Sequence, residues 1–518
     1  MRENRTHFSQ HNNNPMDVPS PSESLTQQRQ VERAAAEIYR EATGGAATTN
    51  DRARLRREDH VAYLARVFKA GRPLPKGFTS LNAGRPWLCY WSAHGLYLLG
   101  AIDSIVAENP GDASAMVSFL GRCQHESGGF GGSPGQLPHL ATTYAAVSAL
   151  VTLGTDEALA VIDRPKLLGF LLSMCQSRER GGGMTMHDGG EVDVRGCYCA
   201  LCVCYMLGMP EGRLVVEASD MGRFIGRCQG HEGGIGGEPG NEGHGGYTFC
   251  AYGALALAEA CGWLPGGTGM VDRGLLASWL RRQQGNVEGG MRGRTNKLVD
   301  GCYSFWCGGL GRLLAGTGEA GGEAVTSTQG ATQTQRGVVE NAALADAVRR
   351  WCDNTDDQYA GLQGALDDVM ERYLVAEEQC RADPSPGAQA AFVRLGEEAF
   401  RLQERVEDMK SREVSTKCLD ELRGPGAAAA NGRLIDPEAL QMWILLACQV
   451  PDRGGLRDKP GTNCDFYHSC YCLSGLAAAQ AVGETLGGAE NRLCAAHPIC
   501  NIGIDKIERS IAFYKGSC

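Results

Sequence analysis

Between Gly289 and Trp306 the chain places Arg294 and Lys297 just ahead of Asp300 and Cys302. A guanidinium fork beside an ammonium point charge suits phosphate oxygens. Asp300 and Cys302 offer oxygen and sulfur, and His468 would add nitrogen, a donor set that zinc accepts. Three protein ligands leave a fourth position open, which is the arrangement of a catalytic zinc site. A metal that favours thiolate beside an anion clamp suggests an enzyme joining a sulfur nucleophile to a phosphorylated electrophile. Taken singly, the same residues also fit an exposed basic patch and a few core thiols. The elements that carry them must therefore decide.

The chain has 518 residues, enough for one large domain or several small ones. A formal charge of −10 argues against broad nucleic-acid binding, though not against a local basic pocket. With no apolar run of about 18 residues and a polar N-terminus, neither a membrane span nor a signal peptide is expected. A cytoplasmic location follows as the expectation. The 22 cysteines fall largely in apolar, helix-like runs such as Cys197–Cys204, where a reduced thiol behaves as a small hydrophobe.

Glycine pairs recur at 128–129, 181–183, 233–234, 289–290 and 454–455. An amphipathic run ending in Gln124, Gln176, Gln229, Gln284 or Gln449 precedes each pair. Behind each pair a tyrosine opens a second, more apolar run: Tyr144, Tyr198, Tyr247, Tyr303 and Tyr471, with Tyr90 in an earlier partial copy. Successive tyrosines are 54, 54, 49, 56 and 168 residues apart. The spacing predicts helical hairpins joined by glycine-rich loops, with an insertion before the last copy. Second helices such as Tyr247–Leu257 carry almost no charge, as in helices buried on every side. The expected fold is therefore all-α: six hairpins closed into an α/α toroid, with an inner and an outer helical ring. An open helical solenoid has the same periodicity.

Three residues ahead of the tyrosines stand Trp87, Ala141, Arg195, His244, Asp300 and His468. One residue ahead stand Cys89, Thr143, Cys197, Gly246, Cys302 and Cys470. Equivalent repeats put all of these at inner-helix starts on one rim, where free N–H groups favour anions. Trp87, Trp91, Tyr198, Tyr247 and Trp306 fit either a core or the wall of an apolar funnel. Asp458 on the loop before His468 could bring magnesium to a diphosphate; a solvated loop carboxylate is the plainer reading. Residues 1–50 read as a disordered tail. The toroid is expected over 51–518, interrupted at 315–435 by a low-complexity and helical appendage. Within that appendage Asp367, Asp368 and Glu371 read as a solvated helix face.

The runs Arg85–Trp91, Pro138–Ala141, Gly190–Arg195, His244–Cys250, Asn296–Trp306, Asp458–Gly461 and Asp465–His468 together resemble the β subunits of protein farnesyltransferases. The likeness spans about 57–314 and 436–513 and leaves out the tail and the insertion. It implies a catalytic zinc held by Asp300, Cys302 and His468, and magnesium assistance at Asp458. His244, Arg294, Lys297 and Tyr303 match the family's diphosphate-binding residues, with Lys297 and Tyr303 also counted as catalytic. Trp306, Tyr247, Cys250 and Arg195 match its isoprenoid funnel, and Trp87, Trp91, His139, Ala141 and Tyr467 its peptide-side wall.

The implied substrates are farnesyl diphosphate and proteins ending in a Cys-aliphatic-aliphatic-X box, and the implied partner is a helical-repeat α subunit in a heterodimer. Bulky Trp87 and Tyr198 should shorten the funnel and favour the fifteen-carbon donor over the twenty-carbon donor of a type I geranylgeranyltransferase β subunit. Gly84 departs from the serine that relatives often carry beside the peptide pocket. A triterpene-cyclase-like toroid would need an Asp-x-Asp-Asp acid motif, which the chain lacks. A non-catalytic toroidal binding protein would leave the charged rim unexplained.

Overall fold

The structure is a computed structural model that describes residues 22–43, 48–70, 81–316, 342–382, 385–423, 433–450 and 453–516. After a leading helix, α1 (Glu23–Thr43), outer and inner helices alternate. They run α2 (Arg57–Leu64) and α3 (Arg85–Leu98), α4 (Pro110–Cys123) and α5 (Leu140–Leu153), then α6 (Arg164–Ser173) and α7 (Val194–Met206). Next come α8 (Met221–Arg227) and α9 (Gly245–Ala260), then α10 (Arg273–Arg281) and α11 (Tyr303–Gly316). The insertion supplies α12 (Ala342–Ala382) and α13 (Pro386–Arg423). The last pair is α14 (Pro437–Met442), continued by a π-helical turn over Trp443–Cys448, and α15 (Phe466–Gln480). A final helix, α16 (Ile504–Gly516), packs across α5 and α7.

Sequence sets the two rings apart. In α5 every residue but Ala141 is buried, whereas outer helix α10 buries Leu276, Trp279 and Leu280, one face of a helix, and leaves Arg281 exposed. The inner helices pack in chain order, α3 on α5, α7, α9, α11 and α15, and α15 returns to α3. The array is thus a closed toroid rather than an open solenoid.

The glutamines that end the outer helices fasten one repeat to the next. Gln284 donates through Nε2 to Gly289 O (2.9 Å) and Asp436 O (2.8 Å), while its Oε1 accepts the Asp436 N–H (2.8 Å). Gln124 treats Gly128 and Asp163 the same way, and Gln229 does so with Gly233 and Asp272. Asp163, Asp272 and Asp436 are the N-caps of the next outer helices. Gln449 has no later repeat to hold; it accepts from Arg56 N–H and donates to Arg54 O, joining the end of the ring to its beginning. Gly289, at φ 72°, lets the hairpin pass within contact of α14: a Cβ there would stand 2.5 Å from Ala439 O.

The repeated tyrosines have a partner that periodicity does not reveal. Tyr90, Tyr144 and Tyr198 donate to the carbonyls of Asn501, Cys500 and Ile499 at 2.9, 3.0 and 2.7 Å. This late segment enters the toroid and floors its interior.

One expectation needs correction. Residues 23–43 of the supposed disordered tail form α1, which buries Val31, Ala35, Ala36, Tyr39 and Ala42. Its apolar face is narrow, and the surface that covers it, on α13 and the Trp443–Cys448 turn, lies hundreds of residues downstream. The rest of the tail up to residue 21 lies outside the described residues, as does the linker 317–341 of the insertion. Helices α12 and α13 pack as a hairpin, with Tyr373 stacked on Phe392 at 4.8 Å. Asp367 and Asp368 take local partners, Gln363 and Arg372, and Glu371 is exposed, as for a solvated face. The cysteines of the described residues are free thiols, most of them buried.

Candidate active site

Inner-helix N-termini share one rim, and the rim side chains double as caps. Asp300 Oδ1 accepts the Cys302 N–H (2.8 Å), His244 Nδ1 accepts the Gly246 N–H (3.1 Å) and His139 Nδ1 accepts the Ala141 N–H (3.0 Å). Capping fixes each side chain at its own helix start.

Asp300, Cys302 and His468 converge from α11 and α15. Their ligand atoms lie within 4.8 Å of one another, and no other such cluster of His, Cys, Asp or Glu occurs among the described residues. His468 Nε2 stands 3.3 Å from Asp300 Oδ1. Burial, then the Asp300 carboxylate, pushes the Cys302 thiol well above its ordinary value. For His468 burial acts downward but is outweighed by the Asp300 and Asp465 carboxylates, which push it up to about 10. For Asp300 burial acts upward, but the hydrogen bond and charge of His468 together with the Cys302 N–H outweigh it and hold the carboxyl below its ordinary value. Oxygen, sulfur and nitrogen donors in a pocket that concentrates negative charge fit a divalent zinc ion, which would displace the protons of Cys302 and His468.

The anion clamp stands beside it. Arg292 pairs with Val299 across a tight hairpin, and Asn296, at φ 59°, turns its tip. Arg294 and Lys297 project from this tip and are exposed; Arg294 reaches only Glu242 at 3.5 Å, and Lys297 has no ion-pair partner among the described residues. The Tyr303 hydroxyl lies 2.9 Å from His244 Nε2. Since Nδ1 of that ring is an acceptor, its proton sits on Nε2 and is donated to Tyr303 O, which leaves the tyrosine hydrogen free for an anion. Burial, then Arg294, lowers the His244 pKa, consistent with the neutral ring.

Below the rim the aromatics form an unbroken circuit. Neighbouring centroids are Trp87–Trp91 5.6 Å, Trp91–Tyr467 5.3 Å, Tyr467–Tyr471 4.9 Å and Tyr471–Trp306 4.6 Å. The circuit closes through Trp306–Phe249 5.5 Å, Phe249–Tyr198 5.9 Å, Tyr198–Tyr144 5.5 Å and Tyr144–Trp87 5.8 Å. All six inner helices contribute. The arrangement offers a deep apolar wall with a cationic rim above it.

These comparisons with known proteins agree with the geometry. Residues 55–502 match the prenyltransferase α/α-toroid domain. The chain is 35% identical to the farnesyltransferase β subunit of Arabidopsis thaliana, over 89% of this chain and 83% of that one. It is 37% identical to the farnesyltransferase β subunit of Pisum sativum, over 83% and 89%. The chain belongs to the protein farnesyltransferase β-subunit family. It is accordingly a prenyltransferase subunit. Its fold is shared by a Candida albicans protein geranylgeranyltransferase-I solved with GGPP, at a TM-score of 0.52 and 17% identity, covering 89% of this chain and 98% of that one.

Other residues singled out from sequence are placed as follows. Arg195 is tied to Asp193 and lies over the Tyr247 ring at 5.2 Å. Tyr198 and Cys250 are buried, at 2% and 6% exposure, with the Tyr198 hydroxyl engaged by the floor. Tyr467 interacts with the Cys302 thiol and accepts from Trp306 Nε1 at 3.4 Å. His139 and Ala141 stand farther round the rim, with His139 against His187 (centroids 5.4 Å) and away from the three ligands. Asp458 faces the ligand turn through its backbone: its carbonyl accepts the Gly301 N–H at 2.6 Å, while its carboxylate is taken by Lys459 and Thr462. Sequence reasoning missed Tyr144, Phe249 and Tyr471 as wall residues. For the two tyrosines the signal was present, since each begins an inner helix in register with Tyr198.

Proposed function

We propose that the chain is the catalytic β subunit of a zinc-dependent protein farnesyltransferase. It would move a farnesyl group from farnesyl diphosphate to the cysteine of proteins ending in Cys-aliphatic-aliphatic-X, in a heterodimer with a prenyltransferase α subunit. The observation that carries the reading is the O, S, N triad set beside a cationic clamp above an aromatic-lined interior. Zinc held by Asp300, Cys302 and His468 would supply a site where the substrate cysteine stays a thiolate at neutral pH.

This chain's own side chains would supply the donor site and the anion clamp. The aromatic circuit would bury the isoprenoid and exclude water. Arg294 and Lys297 would hold the diphosphate, and Tyr303, with its oxygen occupied by His244, would give its proton as a hydrogen bond to a departing oxygen. As the new carbon–sulfur bond forms, the carbon–oxygen bond breaks and its electron pair leaves with the diphosphate. Donors fixed before reaction stabilise that growing charge without reorganising. A magnesium ion at Asp458 would have to displace the Lys459 ammonium, so its contribution is expected only once diphosphate oxygens complete its shell.

Transfer by the reconstituted heterodimer tests the reading, with both donors offered in competition to peptides that differ only at X. Farnesyl incorporation that depends on the α subunit is expected. Preference for the twenty-carbon donor would favour the type I geranylgeranyltransferase reading, and binding without turnover would favour a non-catalytic toroid.

A further inference from the structure

Three histidines stand on the rim at inner-helix starts, but only one of them keeps its ring out of the helix cap. His139 and His244 cap their own helices through Nδ1, which puts the ring proton on Nε2. In α15 the cap is instead Asp465, whose Oδ1 accepts the His468 N–H at 2.7 Å. That frees the His468 ring from capping. Its Nδ1 then lies 2.6 Å from the second oxygen, Asp465 Oδ2, an acceptor that requires Nδ1 to carry the proton. When a metal displaces the other ring proton, the lone pair it takes is the one on Nε2, the atom facing Asp300. Asp465 is itself pinned: its N–H donates to Leu456 O at 3.3 Å, its carbonyl accepts from Ser469 N–H at 3.0 Å, and its backbone is extended at φ −145°.

We infer that Asp465 is the positioning residue that makes His468 a metal ligand, by taking over the helix cap and fixing the ring's tautomer and direction. The inference rests on the zinc reading of Asp300, Cys302 and His468. It explains why a rim histidine here serves a cation while His244, in the capping role, serves an anion. Metal-ligating histidines commonly donate their second N–H to a carboxylate, and loss of that partner costs about 10–100-fold in metal affinity.

Asp465→Asn separates the two roles. The amide keeps an oxygen for the His468 N–H but turns an N–H₂ toward Nδ1, which favours the wrong tautomer. Zinc affinity of the full heterodimer, measured by chelator competition, should fall about 10–100-fold. The absorption of the cobalt-substituted protein should change, while the melting temperature of the metal-free form stays near wild type. Asp465→Ser, which retains a cap but no carboxylate, should also lose affinity. Wild-type affinity and an unaltered cobalt spectrum in Asp465→Asn would overturn the assignment to Asp465 alone. A wild-type heterodimer that holds no zinc would overturn the metal reading and this inference with it.

Discussion

Tyr303 reaches His244 because position 293 has no side chain. A Cβ on Gly293 would stand 2.0 Å from the Tyr303 ring, at its hydroxyl-bearing carbon, and the Gly293 carbonyl also accepts the Gly245 N–H at 2.7 Å. The loop carrying Arg294 therefore lies directly on the ring that completes the clamp. Gly293→Ala should push Tyr303 aside and slow single-turnover transfer about 100-fold, the cost of roughly an ångström of misplacement. A rate near wild type would remove Tyr303 from the clamp. At the opposite side of the circuit Trp87 stacks on Trp91 and tilts against Tyr144. Trp87→Thr opens that wall, so use of the twenty-carbon donor should rise at least about tenfold relative to the fifteen-carbon donor. An unchanged donor ratio in competition assays would mean that Trp87 does not limit the funnel.

At the scale of elements, α1 and the insertion act as a buttress for the hairpin that carries the clamp. Ser415 of α13 donates to Val287 O at 2.6 Å, and Tyr39 of α1 donates to Glu288 O at 2.6 Å. The α1 and α13 helices are joined by Arg29–Glu404 and Arg33–Glu407 ion pairs. Glu288 is wholly buried; Gln28 donates to its Oε1, Glu32 and Arg292 are the charged groups that act on it, and its Oε2 has no hydrogen-bond partner among the described residues. Burial, then Glu32, raises its pKa from 4.5 to about 7, so it is held protonated in mildly acidic solution. A carboxyl raised in the folded state contributes stability below its unfolded pKa and loses it as pH climbs through the folded value. The buttress should thus weaken as pH climbs from about 4.5 to about 7 and stay at its weakest above that. Glu288→Gln should abolish this slope and stabilise the chain at pH 8.5 by on the order of 2 kcal/mol, with little difference at pH 5. Parallel stability profiles of the two proteins in urea would refute the assignment.

Much of the whole molecule could be read from residue types in register. Glycine pairs, terminal glutamines and tyrosines define six hairpins, and that register alone puts Asp300 and His468 at equivalent starts of neighbouring inner helices. What the sequence hides acts through backbone or across long separations. The floor at Ile499–Asn501 is recognised by its carbonyls, which leave no trace in residue identity. Helix α1 is covered by α13, so its burial has no local signal. Ring closure is likewise a long-range fact, made visible by Gln449 gripping the entry to α2.

The most direct test of the account is single-turnover farnesyl transfer by the α-containing heterodimer, before and after zinc is stripped and restored. The account predicts one zinc per heterodimer, thioether formation on a Cys-aliphatic-aliphatic-X peptide, loss of transfer without zinc and its recovery when zinc returns. Transfer that continues undiminished in the zinc-free heterodimer, or a zinc-loaded heterodimer that transfers no farnesyl group, would contradict it.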